Sequence, residues 1–137
     1  MAAKPMMMPK TTFVPPVIGH RGACGHAPEN TLVSFRRAAA LGVRWVEFDV
    51  RLSRDREVVV LHDEGLERTT NGGGLVAEKD WAELQALDAG AWYDEEFSGA
   101  RIPSLGQAIS VLAELGLGAN IEIKPGPGQS DETGRIT

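Results

Sequence analysis

Trp45-Val-Glu-Phe-Asp-Val50 alternates strictly. In an extended chain Val46, Phe48 and Val50 fall on one face, and Glu47 and Asp49 on the other. An apolar face belongs against a core. Two carboxylates two residues apart repel each other and lose hydration if their face is enclosed, so they then need a cation. A hard dication such as Mg²⁺ or Ca²⁺ suits oxygen donors. The alternative is a solvated strand face.

On either side of this strand the pattern continues. Ser53-Arg-Asp-Arg-Glu57 reads as a turn, and Val58-Val-Val-Leu61 as a strand covered on both faces, ending at His62-Asp63. Upstream, Val17 to Gly19 reads as a short strand ending at His20, followed by a Gly-rich loop from Arg21 to Glu29. Asn30 is placed to cap a helix from Thr31 to Leu41, with Leu32, Phe35, Ala38 and Ala39 on one face and Gly42 as the stop.

Downstream, Asn71-Gly-Gly-Gly74 is a turn, and Asp80 with Glu83 forms a capping box for a short helix to about Leu87. Residues 88–100 look irregular, and 64–100 as a whole reads as an insertion covering one end of the domain. Ser104 and Gln107 form a second capping box. Their helix, Leu105–Leu115, puts Leu105, Ala108, Ile109, Leu112 and Leu115 on one face before Gly116. Asn120-Ile-Glu-Ile-Lys124 is a strand with Glu122 and Lys124 pointing the same way, broken by Pro125-Gly-Pro-Gly128. Four strands with helices between some of them predict a parallel α/β sheet. His20, Asp49, His62 and Lys124 all fall at C-terminal strand ends, where such folds build their sites.

Composition narrows the function. The chain has 137 residues, 42% apolar and 24% charged, which suits one globular domain. We take residues 1–13 as a flexible tail and 14–137 as the domain. A net charge of -5 without a basic run argues against nucleic acid as a partner. A small phosphate ester can still be held by a few local cations and a metal. The single cysteine, Cys24, excludes an internal disulfide and reads as a small loop residue. No stretch has the roughly 18 apolar residues of a membrane span, so stable membrane insertion is not expected, and the reading is cytoplasmic.

Glu122, near the end of its own strand, adds a third carboxylate to Glu47 and Asp49, which together make a metal site. Lys124 is available to a substrate oxygen or to an ion pair with Glu122 or Glu47. His20 and His62, each following an apolar strand, suit an acid and a base working near neutral pH. A structural histidine is the plain alternative for each. Arg21 offers a planar fork for phosphate, and Gly22 lets backbone approach a ligand closely. Asp63 is placed to orient His62 or to cap the next turn. His26 lies in the loop without an assigned role. Zinc spacings, a Walker loop, GxGxxG and GxSxG are all absent.

Five motifs then occur in order: Gly19-His20-Arg21-Gly22, Pro28-Glu29-Asn30-Thr31, Glu47-Phe48-Asp49, His62-Asp63 with Leu66-Glu-Arg-Thr-Thr-Asn-Gly72, and Glu122-Ile-Lys-Pro125. Together they resemble the glycerophosphodiester phosphodiesterase family from about Val17 to Pro125. The resemblance implies a (β/α)₈ barrel with an inserted segment after the third strand, matching 64–100. It implies catalytic roles for His20 and His62, metal binding by Glu47, Asp49 and Glu122, and phosphate contacts from Arg21 and Lys124. The implied reaction is metal-dependent cleavage of a small-molecule glycerophosphodiester to an alcohol and glycerol 3-phosphate.

Such a barrel typically needs about 250 residues. Against that length, four strands read as a barrel truncated to its first half, with open edges prone to self-association. Two other readings stay open. One is a related barrel acting on lysophospholipids or sphingolipids, with Trp81, Trp92, Tyr93 and Phe97 forming an apolar groove. The other is a non-catalytic fragment that binds metal or phosphate.

Overall fold

The computed structural model describes residues 17–126 and 134–136. The expected tail, residues 1–13, lies outside the described residues. Four strands form one sheet: β1 (Ile18–His20), β2 (Trp45–Leu52), β3 (Val58–Val60) and β4 (Gly118–Ile123). Among the described residues, the α-helices of five residues or more that accompany them are α1 (Leu32–Ala40), α2 (Trp81–Gln85) and α3 (Leu105–Leu115).

β2 is the centre of the sheet. β4 runs parallel along one edge, pairing Trp45 to Val50 with Gly118 to Ile123. The other edge is shared: β1 lies parallel beside Trp45 to Glu47, and β3 lies beside Val50 to Leu52. The expectation of an all-parallel sheet fails at β3, which runs antiparallel to β2. The reason is the short turn. Ser53 N–H donates to Glu57 O at 2.9 Å, and Arg56 takes a left-handed φ of 71°. A connection this short closes a hairpin, whereas a parallel return needs a long crossover. The parallel staves are therefore β1, β2 and β4, and the segment 64–100 follows a hairpin return strand.

The alternation of β2 sorts its residues as its sequence predicts. Val46, Phe48, Val50 and Leu52 are buried against Phe35 and Ala38 of α1 and Ala108, Val111 and Leu112 of α3. Phe35 and Phe48 meet with ring centroids 5.4 Å apart. Glu47, Asp49 and Arg51 face the opposite way. β3 is covered on both faces: Val58 and Val60 join this core, while Val59 and Leu61 join a second one with Leu66, Val76, Leu84, Ala89 and Ile102. That second core anchors the inserted segment to the sheet.

Helix ends differ from expectation at the start of α1 and the end of α2. The N-cap of α1 is Thr31, whose hydroxyl accepts from Ser34 N–H. Asn30 instead adopts a left-handed φ of 57° and is buried. The capping residues of α2 and α3 are as predicted, although α2 ends at Gln85. The buried face of α3 is rotated: Val111 is buried, whereas Ile109 is half exposed.

Candidate active site

The carboxylates come together because β2 and β4 are parallel and in register: Asp49 pairs with Glu122, and Glu47 lies two residues back on the same face. Glu47, Asp49 and Glu122 each offer a carboxylate oxygen, all within 4.8 Å of one another. Burial and the charge of Asp49 push the Glu47 carboxyl above its ordinary pKa, against the lowering effect of the Arg21 N–H. Glu122 moves the other way, held down by a hydrogen bond from Lys124 at 2.9 Å. The difference follows from position: Glu122 is exposed and paired, so the crowding of negative charge falls on Glu47. Three converging oxygen donors with excess negative charge fit a hard dication.

His20 ends β1 directly opposite Glu47, with Nε2 4.0 Å from Glu47 Oε1 and the side chain largely exposed. The antiparallel course of β3 brings the second histidine back to the same place. Leu61 N–H donates to Asp49 O at 3.0 Å, so His62 follows beside β2 on the edge that β1 also uses. Two strands running toward each other along one edge thus deliver the two histidines. Asp63 Oδ1 lies 2.7 Å from His62 Nδ1, which answers the question left open for Asp63 in favour of orientation. His26 is exposed, and its backbone N–H closes a turn onto Ala23 O at 2.8 Å.

Arg21 sits on a left-handed φ of 51° and donates its N–H to Glu47 Oε1 at 3.3 Å. Its guanidinium reaches inward, with Nη1 donating to Glu29 at 2.9 Å and Nε 3.5 Å from Asp49 Oδ2. That Nε is buried without a hydrogen-bond partner. Lys124 is in the ion pair anticipated for it, with Glu122, which uses one of the three donors of its ammonium. Gly22 has a packing role of its own. A Cβ there would stand 2.2 Å from Ser34 Oγ and 2.8 Å from Ser34 Cβ. The glycine admits α1 against the loop, and Ser34 Oγ donates to Arg21 O at 3.0 Å.

Several residues around the site received no chemical role from sequence. Asn30 Nδ2 donates to Asp49 Oδ2 at 3.0 Å, fixing that carboxylate from below. Arg51 Nε donates to His62 O at 2.8 Å. Arg68 bridges Glu29 and Asp63. These pairs span 5 to 39 residues. No local spacing signals them; the only hint was the motif stretches themselves, Pro28–Thr31 and Leu66–Gly72. The aromatic residues of the insertion pack on each other. Trp92, Tyr93 and Phe97 meet edge to face at 5.7 and 5.6 Å, and Arg37 of α1 lies 6.0 Å over Phe97. Trp81 packs on the second core. Among the described residues no helix is long and apolar enough to cross a membrane.

Comparison with known proteins agrees with this geometry. Residues 20–135 match the Glycerophosphoryl diester phosphodiesterase family. YhdW of Bacillus subtilis is 44% identical over 123 residues, covering 88% of this chain and 50% of that protein. A glycerophosphodiester phosphodiesterase of Caldanaerobacter subterraneus is 44% identical over 110 residues, covering 80% of this chain and 45% of its own. A phosphodiesterase of Oleispira antarctica, solved with its product sn-glycerol-3-phosphate, superposes with a TM-score of 0.87 at 48% identity, covering 89% of this chain and 49% of that one. The chain thus spans about half the length of the relatives it matches, and its three parallel staves are part of their (β/α)₈ barrel. By sequence and by fold, this chain belongs to the glycerophosphoryl diester phosphodiesterase family.

Proposed function

We propose that these residues form the metal-binding and proton-transfer part of a site that hydrolyses glycerophosphodiesters to an alcohol and glycerol 3-phosphate. The observation that carries the reading is the convergence of Glu47, Asp49 and Glu122 within 4.8 Å, beside His20 and Arg21. The product bound in the Oleispira antarctica relative supports the substrate class.

Glu47, Asp49 and Glu122 would hold Mg²⁺ or Ca²⁺, which supplies positive charge to the phosphoryl oxygens when bound. Arg21, whose guanidinium pairs with Glu29 and Asp49, and Lys124, paired with Glu122, add positive charge for the charge developing on the phosphoryl group. His62 keeps Nδ1 on Asp63, so its Nε2 is the atom left for proton transfer. His20 works from its exposed ring at the end of β1. One imidazole takes a proton from the nucleophile, which is water or the substrate's own hydroxyl, and the other gives one to the leaving alcohol; if the substrate's hydroxyl attacks, water then opens the cyclic phosphate to glycerol 3-phosphate. A reducing, cytoplasmic setting suits the single cysteine. The outer edge of β4 has no partner strand among the described residues, and this edge is where we place self-association.

The test uses the full 137-residue chain. Calorimetry with Mg²⁺ and with Ca²⁺ should show binding that weakens at least about tenfold in Glu47→Gln, because the crowded site loses a charged donor. Release of glycerol 3-phosphate from glycerophosphocholine should fall by about 10²–10⁴-fold in His20→Ala and in His62→Ala. Turnover that survives both His20→Ala and Glu47→Ala would sink the site assignment. Metal binding without any turnover would reduce the chain to a binding fragment.

A further inference from the structure

Arg68 lies on the inserted segment, five residues after Asp63 and 39 residues after Glu29, the two carboxylates it joins. Its Nη1 and Nη2 donate to Glu29 Oε1 and Oε2 at 3.0 and 2.9 Å. Its Nε and Nη2 donate to Asp63 Oδ2 and Oδ1 at 2.9 and 3.0 Å. One guanidinium therefore forks onto two carboxylates at once, which an ammonium cannot do. The Glu29 side chain is almost fully buried and also accepts from Arg21 Nη1 at 2.9 Å, so Arg68 is anchored to the loop that follows His20.

The far end of this chain of contacts is His62. Asp63 presents Oδ1 to His62 Nδ1 at 2.7 Å while both its oxygens are held by Arg68. The hydrogen bond from Arg68, with further help from His62, holds the Asp63 carboxyl well below the usual carboxylate range despite some burial. An ionised carboxylate only accepts, so the shared proton belongs on Nδ1. Nε2 is then the unprotonated nitrogen of the neutral ring.

We propose that Arg68 is a positioning residue for His62: by locking Asp63 in place, with Glu29 as its anchor, it keeps the imidazole proton on Nδ1 and presents Nε2 to the reaction. The proposal rests on His62 being a proton-transfer group. A clamp that merely joined two loops would leave the ring free to choose its tautomer.

Nitrogen NMR of the full chain labelled at histidine, at a pH where His62 is neutral and without metal or substrate, reads the tautomer directly. The wild type should show His62 mainly protonated at Nδ1. Arg68→Gln should shift it toward Nε2–H, with His20 unchanged. Arg68→Lys, which keeps the charge without the fork, should shift it in the same direction by less. A wild-type His62 protonated at Nε2, or an unchanged ratio in either folded variant, overturns the proposal. In the diesterase assay Arg68→Gln should lower kcat by about 10–100-fold, as losses of second-layer support commonly do, with little change in KM. The tautomer is read without turnover, so an inactive chain with the expected shift counts against the proposed reaction and not against this role of Arg68.

Discussion

Replacing Asn30 by Asp separates two accounts of that position. If Asn30 were a helix cap, Asp would serve as well, since the two are equivalent there. In the structure Asn30 is buried and donates to Asp49 Oδ2 at 3.0 Å, so Asp would put an acceptor where a donor is required. Losing a hydrogen bond to a charged group costs about 1.5–3 kcal/mol. Two like charges 3.0 Å apart add up to about 5 kcal/mol at an effective dielectric constant of 20. Side-chain movement and uptake of a proton by the pair relieve part of this, so we expect a loss of at least about 3 kcal/mol at neutral pH. The loss should shrink on acidification, as the pair takes up that proton. Asn30→Gly keeps the left-handed φ of 57° and should lose the bond alone, whereas Asn30→Ala should cost about 1 kcal/mol more. Urea denaturation in EDTA, from neutral to mildly acidic pH, gives all three values. Asn30→Asp as stable as the wild type would refute the reasoning and return Asn30 to a capping role.

Val111→Ala should destabilise by about 2 kcal/mol, while Ile109→Ser should stay within about 0.5 kcal/mol, because Val111 is the residue buried on α3; denaturant midpoints with unchanged m-values would check both. Gly22→Ala should cost about 2–5 kcal/mol, combining a φ of 88° with overpacking, and adding Ser34→Ala should not rescue it, since Ser34 Cβ at 2.8 Å and its carbonyl carbon at 2.9 Å remain in the way. Asp88 accepts from the N–H groups of Ala91, Gly90 and Gly99, which pulls its pKa from 3.8 down to about 2. A depressed carboxyl contributes stability above its unfolded pKa and loses it as pH falls through the folded value. The stability gap between wild type and Asp88→Asn should therefore be full above pH 3.8 and fade toward pH 2, as thermal melts across that range would show; the site is exposed, so the gap is small.

Much of the fold was legible because it depends on local periodicity. The alternation of Trp45 to Val50 sorted core from site, and the Ser104 and Gln107 box located α3. What the pattern could not carry was direction and pairing. Val58 to Leu61 reads as a buried strand in either orientation, and only the tight turn at Ser53 to Glu57 makes it antiparallel. Asn30 and Thr31 are both good caps by type, and the choice went to Thr31 because Asp49, 19 residues away, claims the Asn30 amide. Ile109 and Val111 are equally apolar, so only the placement of α3 on β2 decides which is covered. The three carboxylates could be proposed because each lies on an alternating strand. The Glu29, Arg68 and Asp63 contacts are irregular-loop pairings, invisible until the chain is folded.

The hairpin between β2 and β3 has the character of a vernier. β3 is not a stave of the barrel, so its length is exempt from the closure rule that ties together the tilt and stagger of the parallel strands. Removing one residue from Ser53 to Glu57 would draw His62 along the edge of β2 by about 3.4 Å and turn it to the opposite face. Removing two would keep the face and change only the reach. One of the two imidazoles can thus be re-aimed in discrete steps while the acidic cluster stays fixed on β2 and β4. Sequence drift in this short loop would shift His62 relative to His20, and with it the proposed proton-transfer geometry, without touching the parallel frame.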